Sequence, residues 1–167
     1  MYETLLHEAE EERIDVVYRP LRGKIKGLYC NGVIAINRNI SSTTEKACIL
    51  AEELGHYHSS VGNILDQSKL QNRKQECRAR AWSYQKLVPL EKLIQAHKEG
   101  IRARHDLAEF LGITEQFLMS ALQNYKEKHG YYCRVGDYWI YFEPLGILEI
   151  RQQELKPAEN EVVFLLY

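Results

Sequence analysis

The stretch Ala51-Glu52-Glu53-Leu54-Gly55-His56-Tyr57-His58 carries the residue types and spacing that could do chemistry. On an α-helix, Glu52 and His56 are four residues apart and project within about 40° of each other. Glu53 stands about 60° round from His56 on the same side, while Leu50, Leu54 and Tyr57 lie toward the other side and can face a core. The i, i+4 spacing lets two side chains hold one metal ion. An adjacent carboxylate can then take a proton from a water that the ion activates. As a bare pattern it competes with a plainer one, because solvated helix faces often carry acids and histidines.

A third donor is available further along. Glu76 lies twenty residues beyond His56, on what reads as the next long helix. Ala79 and Ser83 share its helical face at i+3 and i+7, so that face is small and lets a second helix come close. Glu76 would then reach an ion held by His56. The alternative is that Glu76 pairs with Arg73 or Arg80 on its own helix. His58 projects about 160° away from His56, so it joins the set only if the helix ends before it. Cys77 points about 100° from Glu76.

The elements that must position these residues can be read in turn. Leu5, Leu6 and Ala9 recur at helical spacing in a short N-terminal helix. Val16 to Tyr18 is β-prone, and Ile25–Cys30 and Val33–Ile36 flank Asn31-Gly32, a strong hairpin signal because both turn residues tolerate positive φ. Ser42-x-x-Glu45 is a capping box that opens the site helix, from about Thr43 to His58. Val61 to Ser68 reads as a loop. A second long helix runs from about Lys69 to Leu87 and stops before Pro89. Leu90 to His97 is a short helix. Asp106–Leu111 and Glu115–Lys128 form a helix pair across Gly112-Ile113-Thr114. Tyr131–Val135 and Tyr138–Phe142 flank Gly136-Asp137 as a second hairpin, and after a loop at Pro157 to Asn160 a last strand is expected at Val162 to Tyr167.

Taken together, Glu53-Leu54-Gly55-His56-Tyr57, Glu76-x-x-Ala79-x-x-Trp82-Ser83, Leu87-Val88-Pro89 and the hairpin Gly27 to Asn37 resemble the ImmA/IrrE family of metallopeptidases. The family shows a His-Glu-Leu-Gly-His helix and then a Glu-bearing helix that ends in a Leu-Met-Pro type sequence. The resemblance covers Met1 to Pro89, with weaker similarity beyond. It implies an α+β fold: a mostly helical zincin-like metallopeptidase domain at 1–89 with a small antiparallel sheet. Residues 90–167 would supply a helix-turn-helix-like pair and a C-terminal β-hairpin packed on the first part. It implies Glu53 as the general base, His56 as the second zinc-binding histidine, Glu76 as the downstream acidic ligand and Glu52 in the first ligand position. Two carboxylates and one imidazole make a harder donor set than two imidazoles and one carboxylate, so Mn2+ or Fe2+ would compete with Zn2+. The implied activity is a metal-dependent endopeptidase that cleaves or inactivates a protein, most naturally a helix-turn-helix repressor of a phage or mobile element. The alternative is a non-catalytic antirepressor on the same fold. An edge strand near Val33 to Asn37 would pair with an extended substrate. Tyr57, Arg80 and Tyr84 are candidate oxyanion stabilisers.

Composition sets the outer bounds. The chain has 167 residues, 22 basic and 23 acidic side chains and a net charge of −1, which argues against a generally basic nucleic-acid binder. The balance hides an asymmetry: residues 1–15 hold six acids against Arg13, while residues 69–104 hold ten bases against three acids. These stretches are expected to attract each other. The helix pair opens its second helix with Glu115 and Gln116 and carries its bases at the far end, which argues for packing or repressor docking over DNA reading. The four cysteines, Cys30, Cys48, Cys77 and Cys133, include no C-x-x-C pair and suit a reducing cytosol. The acidic, periodic N-terminus is unlike a signal peptide and no apolar run is long enough for a membrane span, so a cytoplasmic protein is expected. Oligomeric state is not legible.

Overall fold

A computed structural model of the chain describes residues 1–59, 69–150 and 163–164. The fold is α+β. Helix α1 (Tyr2–Glu11) precedes strands β1 (Asp15–Arg19), β2 (Gly27–Cys30) and β3 (Val33–Asn37). Four helices then follow: α2 (Thr43–Ser59), α3 (Lys69–Leu87), α4 (Leu90–Lys98) and α5 (Arg104–Leu111). Helix α6 (Glu115–His129) leads into β4 (Tyr132–Val135), β5 (Tyr138–Phe142), β6 (Leu145–Glu149) and β7 (Val163–Phe164). The expected loops at 61–68 and 157–160, and most of the last strand, lie outside the described residues. Among the described residues no helix is long and apolar enough to cross a membrane.

The first sheet has the order β1-β3-β2. The β2–β3 hairpin is antiparallel, with Leu28 opposite Ala35, and it turns through Asn31 at φ 48° and Gly32 at φ 77°, as the Asn-Gly pair requires. Strand β1 joins it parallel, along the other side of β3. This corrects one expectation. Strand β3, Val33–Asn37, is flanked on both sides and has no free edge, so it cannot receive an extended substrate; the edges are β1 and β2. The second sheet runs β4-β5-β6-β7 with antiparallel neighbours throughout. Its β6 was not legible in the sequence, because Gly146 interrupts the short run that Leu145, Ile147 and Leu148 make.

One continuous core joins these pieces. Ile34 and Ile36 of β3, Leu50 and Leu54 of α2, Leu87 at the end of α3, Leu118 of α6 and Ile140 of β5 are all buried in it. The Tyr125 hydroxyl donates to the Val88 carbonyl at 2.8 Å, which pins α6 to the end of α3 and satisfies a buried polar group. The turn between α5 and α6 is built as its residues suggest. Gly112 closes α5 at φ 67°, and Thr114 caps α6 by accepting from the Phe117 amide at 3.1 Å.

Candidate metal centre

Helix α2 starts where the capping motif places it. Ser42 Oγ accepts from the Glu45 amide at 3.2 Å. The reciprocal half of the box is missing, because the Glu45 carboxylate is taken by Lys26 of the preceding loop at 2.6 Å. The helix runs through Ser59, so His58 stays helical and faces away from His56. The apolar side of α2, Ala47, Leu50, Ala51 and Leu54, is buried, which turns Glu52, Glu53 and His56 toward the gap between the sheet and α3.

Two glycines let neighbours close on that gap. A Cβ on Gly55 would stand 2.3 Å from the Ala79 carbonyl oxygen. Helices α2 and α3 therefore touch backbone to backbone, and the small face of Ala79 and Ser83, both fully buried, is what α3 presents there. A Cβ on Gly27 would stand 2.6 Å from Glu53 Oε1 and 2.5 Å from Ile49 Cγ2, so β2 lies directly over the site helix. The Asn37 amide donates to the Lys26 carbonyl across the hairpin. By the alternation of an antiparallel ladder, the main-chain groups of Gly27 and Tyr29 point away from β3. They lie along the free edge of β2, beside Glu53.

The close helix contact brings Glu76 to His56. Glu76 Oε2 lies 3.4 Å from His56 Nε2, and its other oxygen, Oε1, lies 2.7 Å from Arg80 Nη2. The pairing of Glu76 with Arg80 is therefore present, and its other oxygen faces His56. A spacing of about 3.4 Å is shared by a direct His–Glu ion pair and by two donors of one tetrahedral ion with bonds of about 2.1 Å. Glu52 is half-buried one helical turn before His56, and burial raises its carboxyl above the ordinary value, with the Arg80 guanidinium drawing it back and Glu76 adding to the rise. Burial pushes Glu53 up to about 7; the Tyr29 main-chain amide lowers it, and the charges of Glu52 and Glu76 raise it. Two half-buried carboxylates, Glu52 and Glu53, with the more exposed Glu76 beside one imidazole, form a site that a cation would relieve. The donor set suits a divalent ion, with His56, Glu76 and Glu52 able to hold it and Glu53 left as an acid–base group. Among the candidate oxyanion stabilisers, Tyr57 faces Glu12 and Tyr29, whereas Arg80 and Tyr84 both lie within the electrostatic reach of Glu52.

The structure also assembles a group that sequence reasoning missed. Glu8, Glu12 and His58 bring one donor atom each within 4.8 Å of one another, and no other three-residue set among the described residues does so. Glu52, His56 and Glu76 are more open than that, with only the His56–Glu76 pair in contact. The outer group has partners of its own. Lys86 sits 2.8 Å from Glu8, His58 lies 3.4 Å from Glu12, and the His58 ring stacks on Trp82 at 4.5 Å. The i, i+4 spacing of Glu8 and Glu12 was a visible signal; their convergence on His58 depends on how α1 crosses α2.

A peptidase family model described as the IrrE N-terminal-like domain matches residues 9–123, more than half of the chain. The matched segment includes Glu52, Glu53, His56 and Glu76. No curated protein matches the chain.

Proposed function

The chain belongs to the ImmA/IrrE family and carries a metallopeptidase-like domain, and from that premise we propose that it is a metal-dependent endopeptidase acting on a protein substrate. The observation that carries the reading is the juxtaposition of His56 Nε2 and Glu76 Oε2 at 3.4 Å beside Glu53, whose carboxyl is pushed up to about 7. His56, Glu76 and Glu52 would hold the ion, Zn2+ in the first instance with Mn2+ or Fe2+ as competitors. When bound, the ion supplies Lewis acidity toward a carbonyl and a more acidic water. Glu53 accepts the proton of the attacking water and returns it to the departing amine nitrogen. The burial that raises the Glu53 carboxyl in the metal-free protein and the bound ion that favours its charged form act in opposite directions, which keeps it able to take and return a proton. An extended segment of substrate pairs with the free edge of β2 beside Gly27, the Tyr29 amide being held by Glu53, and this lays a peptide bond across Glu53. The substrate we favour is a helix-turn-helix repressor, with the exposed side of the α5–α6 pair available for docking.

The outer group of Glu8, Glu12 and His58 is the rival for the ion. Lys86 already pairs with Glu8 there, and among the described residues the group holds only Glu8, Glu12 and His58. The second functional reading is a non-catalytic antirepressor on the same fold, favoured by the Glu at position 52, whose charge makes a bound ion a poorer Lewis acid. The deciding experiment incubates the metal-loaded protein with a helix-turn-helix repressor as the candidate substrate and compares wild type with Glu53→Gln. Cleavage by wild type and not by the variant is expected. Equal cleavage would exclude Glu53 as the base, and binding without cleavage by either would favour the antirepressor. Absence of a stoichiometric divalent ion, after Zn2+ or Mn2+ has been supplied, would end the peptidase reading.

A further inference from the structure

We propose that Arg80 is a positioning residue of this centre: it holds Glu76 by one oxygen so that the other faces His56. The proposal rests on the metal-centre reading above. Its geometry is direct. Arg80 Nη2 lies 2.7 Å from Glu76 Oε1 while Oε2 of the same carboxylate lies 3.4 Å from His56 Nε2. One oxygen is tied and the other is presented, which is how outer groups orient a ligating carboxylate. Arg80 follows Ala79 in the chain, and Ala79 is locked against Gly55, so the start of the arginine side chain is set by the helix contact that builds the site. The Arg80 carbonyl accepts from Ser83 Oγ at 2.8 Å.

The charge of Arg80 opposes an incoming divalent ion, but the guanidinium is more than half exposed, so water and salt screen that long-range repulsion while the hydrogen bond to Glu76 persists.

The test titrates Zn2+, and separately Mn2+, into metal-free wild type, Arg80→Ala, Arg80→Lys, Glu52→His and the Glu52→His/Arg80→Ala double variant, reading affinity by chelator competition. Arg80→Ala is expected to weaken Zn2+ binding by about 10- to 100-fold, the usual effect of losing such a partner. Arg80→Lys keeps the charge without the planar fork and falls between. In the Glu52→His background the orienting contact is unchanged, so removing Arg80 is expected to weaken binding by a similar factor. A purely structural ion pair would shift the melting temperature of the metal-free protein and leave affinity alone in both backgrounds. If wild type binds the ion and Arg80→Ala binds as tightly or tighter, the proposal is overturned while the metal reading stands. Failure of wild type to bind either ion overturns both, and binding gained only on removing Arg80 would make Arg80 an occupant of the site in place of a support for it.

Discussion

Glu53 is a carboxylate with two other carboxylates for neighbours and little water around it. Its folded value of about 7 lies above the ordinary 4.5, so in the metal-free protein its contribution to stability is fully present below about pH 4.5 and is lost as pH rises through 7. Metal-free wild type is therefore expected to be more stable at pH 5 than at pH 8, by roughly 3 kcal/mol from this group, with Glu52 shifted in the same direction. Urea unfolding at the two pH values measures the difference, and Glu53→Gln should flatten it; a variant with the same slope would place the titration elsewhere. A bound cation favours the charged forms, so loading the site at pH 6 should release protons, detectable as a dependence of the binding heat on buffer ionisation.

At the scale of elements, the two glycines that close on the site make separate predictions. Gly55 meets the Ala79 backbone, and a carbonyl in a helix cannot yield without moving α3. Gly55→Ala gains about 1 kcal/mol of helix propensity but overpacks this contact. It should destabilise the protein by about 1–3 kcal/mol net and draw Glu76 away from His56, which thermal melts and Zn2+ titration would show together. Gly27 meets the Glu53 carboxylate, which can swing, and the Cγ2 methyl of the buried, β-branched Ile49, which cannot. Gly27→Ala should therefore destabilise the protein by about 1–3 kcal/mol and also lower kcat, because the other group displaced is the proposed base. A loss of stability with kcat unchanged would contradict the placement of β2 over Glu53.

Over the whole molecule, the charge asymmetry has a structural use. The acidic first helix meets the basic stretch through Glu8 and Lys86 at 2.8 Å, and Glu12 meets His58 at 3.4 Å, so α1 is tied to both site helices from their outer side. Exposed pairs of this kind contribute about 0–1 kcal/mol each, so this is alignment more than stability. The two histidines of the site helix therefore separate by role. His58→Ala should lower the melting temperature through loss of the Trp82 stack and keep the ion, and His56→Ala should lose the ion with a smaller change in melting. Metal content by mass spectrometry and a melt of each variant check this, and the reverse pattern would move the centre to Glu8, Glu12 and His58.

Local rules in the sequence were enough for most elements and for the direction in which each site residue points. The period of 3.6 put Glu52, Glu53 and His56 on one side of a helix and His58 on the other, and Asn31-Gly32 specified its turn, because these depend on neighbours a few residues away. Strand β6 escaped, since a glycine-broken run of five residues has little local signal. Pairing between distant segments was decided only by the tertiary structure. The parallel docking of β1 put β3 in the middle of its sheet and left β2 as the edge over Glu53. The contact of Gly55 with Ala79 brought Glu76 to His56, and the passage of α1 gathered Glu8, Glu12 and His58. Each of these is a packing event between residues far apart in the chain, and no spacing along the sequence encodes the distance across such a contact.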